Sequence, residues 1–328
     1  MTKFLTKSAP SLGALVAILA FLHGIPAHAQ GNTVSWVSNT GDDSSICGAP
    51  SVACRTLQVA VNKTTPGGIV AVADPGDYDG LTITKSINIS DDGAGDAHIR
   101  PFETGPNIAI NAGVGDVISL RGLMIDGEGR GTTGIQINSS SAVHIQNCVV
   151  RNFEGANAFG IAFLPFHNSQ LFVSDTIIYN NGSSSLTGGI LIEPQGERAD
   201  VVLDRVHLEN NVDGLLIDGA FAAGPGSHVI VRDSVMSGNA ANGIHVLTIA
   251  GKSPAFALVE RSTMVNNRQS GILADGPGAT VLLSESTITR NGTGVSTVNN
   301  GQLFSYGNNR NNNNLGAEGT ATGFLSAF

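Results

Sequence analysis

The sequence predicts an all-β protein, a parallel β-helix in a single domain, and three observations carry this prediction. A repeat of about thirty residues recurs six times from residue 143 onward with its columns in phase. Each unit holds short apolar or alternating runs that are separated by polar turns and are too short for helices of ordinary length. With 42 glycines, 5% aromatic and 13% charged residues, the composition suits short strands and tight turns.

An asparagine marks each repeat unit. Successive asparagines are 28, 30, 29, 28 and 24 residues apart, and nine residues before each stands an aliphatic side chain. Asparagine tolerates the left-handed conformation of a sharp turn, and stacked amides can hydrogen-bond from rung to rung. We therefore predict a structural asparagine ladder. Its members are Asn152, Asn180, Asn210, Asn239, Asn267 and Asn291, and the aliphatic column is Val143, Leu171, Val201, Ile230, Leu258 and Leu282.

A glycine followed by an aliphatic residue forms the third column of the repeat. Units of this kind cannot bury their apolar side chains alone, so they stack on their neighbours. Stacking in parallel, with one rung per repeat, gives a coil that advances by about 4.8 Å per turn. The glycine steps are Gly160-Ile161, Gly189-Ile190, Gly214-Leu215, Gly243-Ile244, Gly271-Ile272 and Gly294-Val295.

The repeat weakens toward both ends of the chain. Residues 81–89 alternate as an early rung would, and in residues 55–63 Leu57, Ala60 and Val61 share one helical face. We expect a short helix there that caps the open end of the coil. The predicted organisation is a signal peptide at 1–29, an N-terminal cap and first strand at 30–80, the β-helix at 81–306 and a C-terminal cap or tail at 307–328.

The N-terminus has the pattern of a secretory signal peptide. Lys3 and Lys7 precede an apolar run, residues 12–22, and Ala27-His28-Ala29 forms a small-x-small cleavage site. We expect cleavage near Ala29, a secreted protein in the periplasm or outside the cell, and no membrane span. Removing residues 1–29 takes away two of the 17 basic and none of the 26 acidic residues, which leaves a charge of −11. This charge argues against nucleic acid as a partner.

The chain has three cysteines. Cys47 and Cys54 flank a short loop, and export to an oxidising compartment would let them form a disulfide. Cys148 lies inside an apolar run without a basic neighbour, which favours a buried structural thiol over a nucleophile.

Residues 54–89 resemble the entry of secreted right-handed β-helix proteins of the pectate-lyase-like superfamily. The resemblance lies in a capping helix and three motifs, Pro66-Gly67-Gly68, Pro75-Gly76-Asp77-Tyr78 and Thr84-Lys85-Ser86-Ile87. It implies a right-handed coil, in line with the usual hand of parallel crossovers. It also implies a polysaccharide ligand and a lyase, hydrolase or epimerase activity. The W-x-D-H, R-x-P-x-x-R, N-T-D, G-H-G and R-I-K motifs of pectate lyases and polygalacturonases are absent from the sequence, so no catalytic residue is carried over.

The repeat also predicts which polar side chains share a face. The fourth residue after each column glycine is acidic at Glu193, Asp218 and Asp275, and the first two fall on adjacent rungs. Paired carboxylates at about 5 Å could share a proton, hold Ca²⁺ or act as acid and base. We therefore take Glu193, Asp218 and Asp275 as candidate catalytic residues, and the first two as possible Ca²⁺ ligands. His245, two residues after its glycine, should point to the same side and is a fourth candidate catalytic residue. Asp213 should join the patch as a binding residue.

A simpler interpretation of these acids is that they are solvated residues of an exposed turn. No arginine or lysine shares their column, and Leu164, Leu247 and Val298 interrupt it. Two functions remain open from sequence. One is a secreted protein that binds or cleaves an extracellular polysaccharide along one lateral face, as a lyase or a glycoside hydrolase. The other is a non-catalytic extracellular structural or surface-interaction protein. The oligomeric state stays open as well.

Overall fold

Three parallel sheets wind around a common core. The computed structural model describes residues 31–326, apart from 92, 94 and 102–104, so the predicted signal peptide lies outside the described residues. In this described part, 31 strands form sheets of 12, 10 and nine strands, which we name sheets A, B and C. Along the regular coil, consecutive strands of the chain pass from sheet to sheet, so each turn of the coil adds one strand to each sheet. The nine strands of sheet C therefore correspond to about nine turns of the coil. The architecture is the predicted all-β parallel coil.

The strands are short throughout, as the brief apolar runs require. Sheet A contains β1 (Asn32–Val37), β2 (Thr64–Val72), β5 (Ile87–Ser90), β8 (Val117–Arg121), β11 (Ala142–Gln146), β14 (Ser169–Ser174), β17 (Ala199–Asp204), β20 (Ser227–Arg232), β23 (Ala255–Glu260), β26 (Ala279–Ser284), β29 (Gln302–Ser305) and β31 (Gly323–Phe324). Sheet B contains β3 (Gly76–Tyr78), β6 (Ala97–Ile99), β9 (Met124–Asp126), β12 (Val149–Arg151), β15 (Ile177–Tyr179), β18 (His207–Glu209), β21 (Val235–Ser237), β24 (Thr263–Val265), β27 (Thr287–Thr289) and β30 (Arg310–Asn311). Sheet C contains β4 (Leu81–Ile83), β7 (Ile108–Asn111), β10 (Thr133–Ser139), β13 (Phe159–Phe163), β16 (Gly188–Ile192), β19 (Asp213–Asp218), β22 (Ile244–Leu247), β25 (Ser270–Asp275) and β28 (Thr293–Val298).

Two helical segments precede the regular coil. A 3-10 turn covers Pro50–Val52, and helix α1 covers Leu57–Lys63. The side chain of Thr56 caps α1 by accepting a hydrogen bond from the Val59 amide, and Leu57, Ala60 and Val61 are buried. Strands of sheets A and B already form before residue 81, and β30 and β31 extend pairing past residue 306. No helix among the described residues is long and apolar enough to cross a membrane.

The core lies between the sheets and is built from aliphatic columns. In sheet C the residue after each column glycine pairs with its counterpart on the next strand and is almost fully buried. Because rungs are about 4.8 Å apart, identical or similar side chains contact each other along the axis. This column is Ile135 (after Gly134), Ile161, Ile190, Leu215, Ile244, Ile272 and Val295, and Ile108 continues it on β7 without a preceding glycine.

In three rungs of sheet A, the inward aliphatic residue is not the one that the sequence predicted. Val143, Leu171 and Val201 are buried as expected. Ile230, Leu258 and Leu282 instead point outward, and Ile230 is 38% exposed. The inward residues of those rungs are one position earlier, because Val201 pairs with Val229, Val229 with Ala257 and Ala257 with Val281. A shift of one residue along a strand moves a side chain to the opposite face.

The predicted asparagine column is also wrong by one residue in three rungs. Five buried asparagines form a column joined by four hydrogen bonds, in which the side-chain oxygen of each later member accepts from the backbone N–H of the preceding one at 2.9–3.2 Å. Asn239, Asn267 and Asn291 belong to it as aligned, whereas Asn152, Asn180 and Asn210 sit one position too early. Those three occupy left-handed turn positions with φ of 60°, 56° and 54°. The asparagine column is Asn181, Asn211, Asn239, Asn267 and Asn291.

The turn between sheets A and B carries alternating charges. In six successive turns, from Asn147 to Glu285, one residue has a positive φ of 45–54°, and Asp175, Arg205, Asp233 and Arg261 are four of them. The Arg205 guanidinium is 2.7 Å from Asp175, and that of Arg261 is 2.9 Å from Asp233. The polar pair Asp204-Arg205 therefore belongs to a structural turn of the coil. His207 on the next strand is exposed and contacts Glu209 at 2.9 Å.

The cysteines are arranged as the sequence suggested. The structure joins Cys47 to Cys54, with their Cα atoms 5.0 Å apart. Cys148 is buried and unpaired, and burial raises the pKa of its thiol to about 12.

We predict that Asn239→Ala lowers the free energy of unfolding by about 1–3 kcal/mol, because it leaves buried hydrogen-bonding groups without partners. The Asn239 side chain accepts from the Asn211 amide and donates to the Leu208 carbonyl and to Asn267. Urea denaturation followed by circular dichroism measures the change. Asn312→Ala, at an exposed asparagine, is the matched control and should leave stability unchanged. Equal stability of the two variants would contradict a structural role for the column.

Candidate functional site

The outer face of sheet C carries two columns of outward side chains. Relative to each column glycine they stand at the second and fourth positions, on either side of the inward residue at the third. The second-position column is Gln136, Ala162, Leu191, Leu216, His245, Leu273 and Ser296. The fourth-position column runs through Leu164, Glu193, Asp218, Leu247, Asp275 and Val298.

This register places Glu193 and Asp218 on adjacent rungs. Ile192 pairs with Ile217, and each acid directly follows one of these residues. Their Cα atoms are therefore separated by about one rung spacing, 4.8 Å. Asp218 pairs next with Leu247, and Leu247 with Asp275, so Asp275 lies two rungs further along the same column.

A groove of about 490 Å³ opens over the pair of acids. An apolar cluster forms its floor, with Phe159, Ala162, Leu191 and Leu216 at most 7% exposed although they lie on the outer face of the sheet. Leu164 packs against this cluster, so the leucine that interrupts the acidic column belongs to the floor. Within the described part of the chain, no lysine or arginine lines the groove. The lining residues are Thr132, Thr133, Gln136, Ala156, Asn157, Phe159, Ala162, Leu164, Leu186, Leu191, Glu193, Leu216 and Asp218.

Both acids of the groove have a raised pKa. Burial raises the pKa of Glu193 and the charge of Asp218 adds to the rise, whereas a hydrogen bond from Gln195 Nε2 at 2.9 Å opposes it. Burial also raises the pKa of Asp218, against the hydrogen bond from the Ala220 amide at 2.7 Å and the positive charge available on His245. Each of the two carboxyls therefore holds a proton to higher pH than a solvated one. This differs from the interpretation of them as solvated turn residues.

Asp213 and His245 lie deeper beside the groove. Asp213 is 2% exposed, and its Oδ1 accepts two hydrogen bonds from Asn242 at 2.9 and 3.0 Å. His245 is 6% exposed, with Nδ1 3.8 Å from Asp213 and Nε2 3.9 Å from Asp275. Neither ring nitrogen has a hydrogen-bond partner among the described residues. The histidine is thus held between two carboxylates at distances longer than direct hydrogen bonds.

The five predicted site residues fall into two groups. Glu193 and Asp218 line the groove, whereas Asp213, His245 and Asp275 form a carboxylate-histidine-carboxylate arrangement beside it. Asp275 is further tied to Asn299, whose Nδ2 donates to it at 2.8 Å. No cluster of three or more His, Cys, Asp or Glu side chains in the described ranges is arranged to hold a metal ion.

Sequence reasoning missed the apolar floor and the polar residues Thr132, Gln136 and Asn157 at its margin. The sequences of strands β13 (FGIAF) and β16 (GGILI) contain a pattern that indicates this apolar floor. Both are apolar at every non-glycine position, whereas a strand with one solvated face alternates. Apolar character on both faces indicates that the outer face is also covered.

Comparison with known proteins identifies the architecture. Residues 102–253 match the family described as "Right handed beta helix region". The solved structure of the pectate lyase Pel9A superposes with a TM-score of 0.63 at 16% identity, over 90% of this chain and 78% of that one. The chain is a right-handed parallel β-helix, and it shares this fold with the pectate lyase.

A second solved structure supports the same assignment. The alginate lyase from Paenibacillus sp. str. FPU-7 aligns with this β-helix at a TM-score of 0.59 and 15% identity, over 88% of this chain and 97% of that one. At these identities the likeness concerns the fold. No curated protein sequence matches the chain.

The raised pKa values of the two acids predict a stability effect that depends on pH. A carboxyl whose pKa is raised by folding destabilises the folded state above that pKa, and this penalty vanishes below the unfolded value of about 4. Glu193→Gln and Asp218→Asn should therefore each raise the melting temperature at pH 8 by about 1–3 °C. The gain should disappear as the pH falls toward about 4.

Differential scanning calorimetry between pH 4 and pH 8 measures this effect. Glu197→Gln is the matched control, because Glu197 is exposed, three residues beyond Pro194, and should show no gain at pH 8. A gain in the groove variants that persists unchanged at pH 4 would show that desolvation of the charged carboxylates is not its cause.

Proposed function

We propose that the protein binds a polysaccharide in the groove on sheet C and hydrolyses it with Glu193 and Asp218. The observation that carries this proposal is the pair of partly buried carboxyls with raised pKa in a groove of about 490 Å³. The fold supports it in general terms, because the two solved structures compared above are a pectate lyase and an alginate lyase.

The arrangement favours hydrolysis over elimination. Glycoside hydrolases that retain anomeric configuration use two carboxyls about 5–5.5 Å apart, close to the spacing of adjacent rungs. Elimination from a uronate instead requires a cation or positive side chain to stabilise negative charge that develops on the sugar carboxylate. Within the described residues the groove lining offers neither lysine nor arginine.

The surroundings of the two carboxyls suggest separate roles. Glu193 is the proposed acid, because burial and the neighbouring Asp218 both favour its protonated form. It would donate its proton to the glycosidic oxygen as that bond breaks. Asp218, whose ionised form is favoured by the Ala220 amide and His245, would attack the anomeric carbon. Water activated by Glu193 would then release the sugar and return the proton.

We expect Glu193→Gln and Asp218→Asn each to lower turnover by about 100-fold or more, since proton transfer and nucleophilic attack contribute at least this much. A polysaccharide panel assayed for reducing ends and for the absorbance of unsaturated products measures turnover. Glu197→Gln should be fully active. Activity that survives both groove substitutions would clear these residues of the chemistry, unsaturated products would replace hydrolysis with elimination, and binding without turnover would favour the non-catalytic alternative.

Calcium remains a proposal for this site. Ca²⁺ takes 6–8 oxygen ligands, whereas Glu193 and Asp218 together offer four carboxylate oxygens. One of these already accepts from Gln195 and another from the Ala220 amide. A bound ion would need oxygens from the glycan or water, so the panel is run with added Ca²⁺ and with EDTA.

We also propose that the protein is exported and that residues 1–29 are removed. The basic start, apolar run and Ala27-His28-Ala29 site support export, and so does the Cys47–Cys54 disulfide, since disulfides persist in oxidising compartments. Expression in a bacterial host with secretion should yield a chain that begins at Gln30, as measured by intact mass. A chain that stays in the cytoplasm with Met1 intact would contradict export.

We further propose that α1 covers the open N-terminal end of the coil. Its apolar face buries Leu57, Ala60 and Val61, and the helix contacts β1, β2 and β4. A cover of this kind protects the terminal rung from pairing with other chains.

A further inference from the structure

We infer that the groove selects a neutral glycan, one without carboxylate or sulfate groups, whose apolar face rests on Phe159, Leu191 and Leu216. This inference rests on the proposed function and names its substrate class. It departs from the polyuronates named for the pectate lyase and the alginate lyase.

The charges around the groove disfavour an anionic sugar. Its titratable lining residues are both acids, Glu193 and Asp218, and two more acids stand close by at Asp213 and Asp275. His245 beside the groove is able to carry a positive charge, and it lies 3.8 Å from Asp213 and 3.9 Å from Asp275. A sugar carboxylate would therefore lie near several acidic side chains, whose negative charge His245 can offset by one positive charge at most. The site is partly dehydrated, so like charges repel strongly there.

An anionic sugar would also oppose the chemistry. A negative charge beside Asp218 would add to the effect of burial and raise the pKa of this carboxyl further. This shift would favour the protonated carboxyl, which is a poorer nucleophile than the carboxylate. A neutral sugar adds no charge that would shift the pKa of Glu193 or of Asp218.

The floor of the groove is suited to the uncharged face of a sugar ring. Outward side chains of a solvated sheet are usually polar, yet this floor consists of Phe159, Ala162, Leu191 and Leu216. Apolar surfaces with a few placed polar groups are typical of small-molecule sites, in which the polar groups orient the ligand. Here Thr132, Gln136 and Asn157 lie at the margin, where they can hydrogen-bond to hydroxyl groups.

Isothermal titration calorimetry tests this inference with neutral gluco-, manno- and galacto-oligosaccharides and with oligogalacturonates and oligomannuronates of the same length. Wild-type protein at pH 7 with EDTA should bind at least one neutral series at least about 10-fold more tightly than either uronate series. The double variant Glu193→Gln, Asp218→Asn should narrow this difference, because it removes the negative charge that this pair of carboxyls can carry.

The floor is tested by a matched pair of leucines in the same outward column. Leu191→Ala should weaken neutral binding by about 5-fold or more, since it removes apolar contact area with the ligand. Leu273→Ala should have no effect, because Leu273 lies three rungs away and does not line the groove.

The outcomes separate the substrate class from the proposed function. Uronates that bind as tightly as neutral glycans, with binding weakened by Leu191→Ala, would overturn the neutral-glycan inference and leave the polysaccharide groove standing. Equal effects of Leu191→Ala and Leu273→Ala would overturn the role of the floor. Absence of binding to every series, with a folded protein, would overturn the proposed function itself.

Discussion

Parallel hydrogen bonding between rungs is the constraint on which this structure depends. It fixes each residue about 4.8 Å from the residue at the same position in the next turn. Each side chain must therefore fit the side chains above and below it in its own column. Isoleucine packs on isoleucine in the core, asparagine bonds to asparagine at a turn, and aspartate faces arginine on the outer edge. Glu193 and Asp218 meet for the same reason, although 25 residues separate them in the chain.

The same constraint explains what the sequence could and could not predict about the fold. The glycine column was aligned correctly, because glycine followed by an aliphatic residue occurs once in each unit. The asparagine column was ambiguous, since Asn180-Asn181 and Asn210-Asn211 each offer two candidates. Asparagine suits both the left-handed position and the buried position after it. Choosing the first in some rungs and the second in others moved Ile230, Leu258 and Leu282 to the wrong face.

For the candidate site, the periodicity of the sequence predicted which side chains lie next to each other, but it did not predict how deeply they are buried. Column counting was enough to put Glu193 beside Asp218 and to place His245 on the same side. It could not predict that Asp213 and His245 are almost fully buried, because that depends on how residues outside the repeat pack over the sheet. Burial in turn decides the direction of the pKa shifts, since a carboxyl in an exposed turn and one in a groove have the same sequence pattern. The apolar outer faces of β13 and β16 are the local evidence that would have separated these two cases.

The unequal length of the repeat units has an evolutionary consequence. Units of 24 to 30 residues share the same columns, so the difference lies in the connecting loops. A loop can therefore lengthen or shorten without disturbing the ladder beneath it, and an entire unit can be duplicated because each one contacts only its two neighbours. Selection can in this way reshape the walls of the groove while its apolar floor and the core are inherited intact, which gives this scaffold a route to new ligands by small genetic steps.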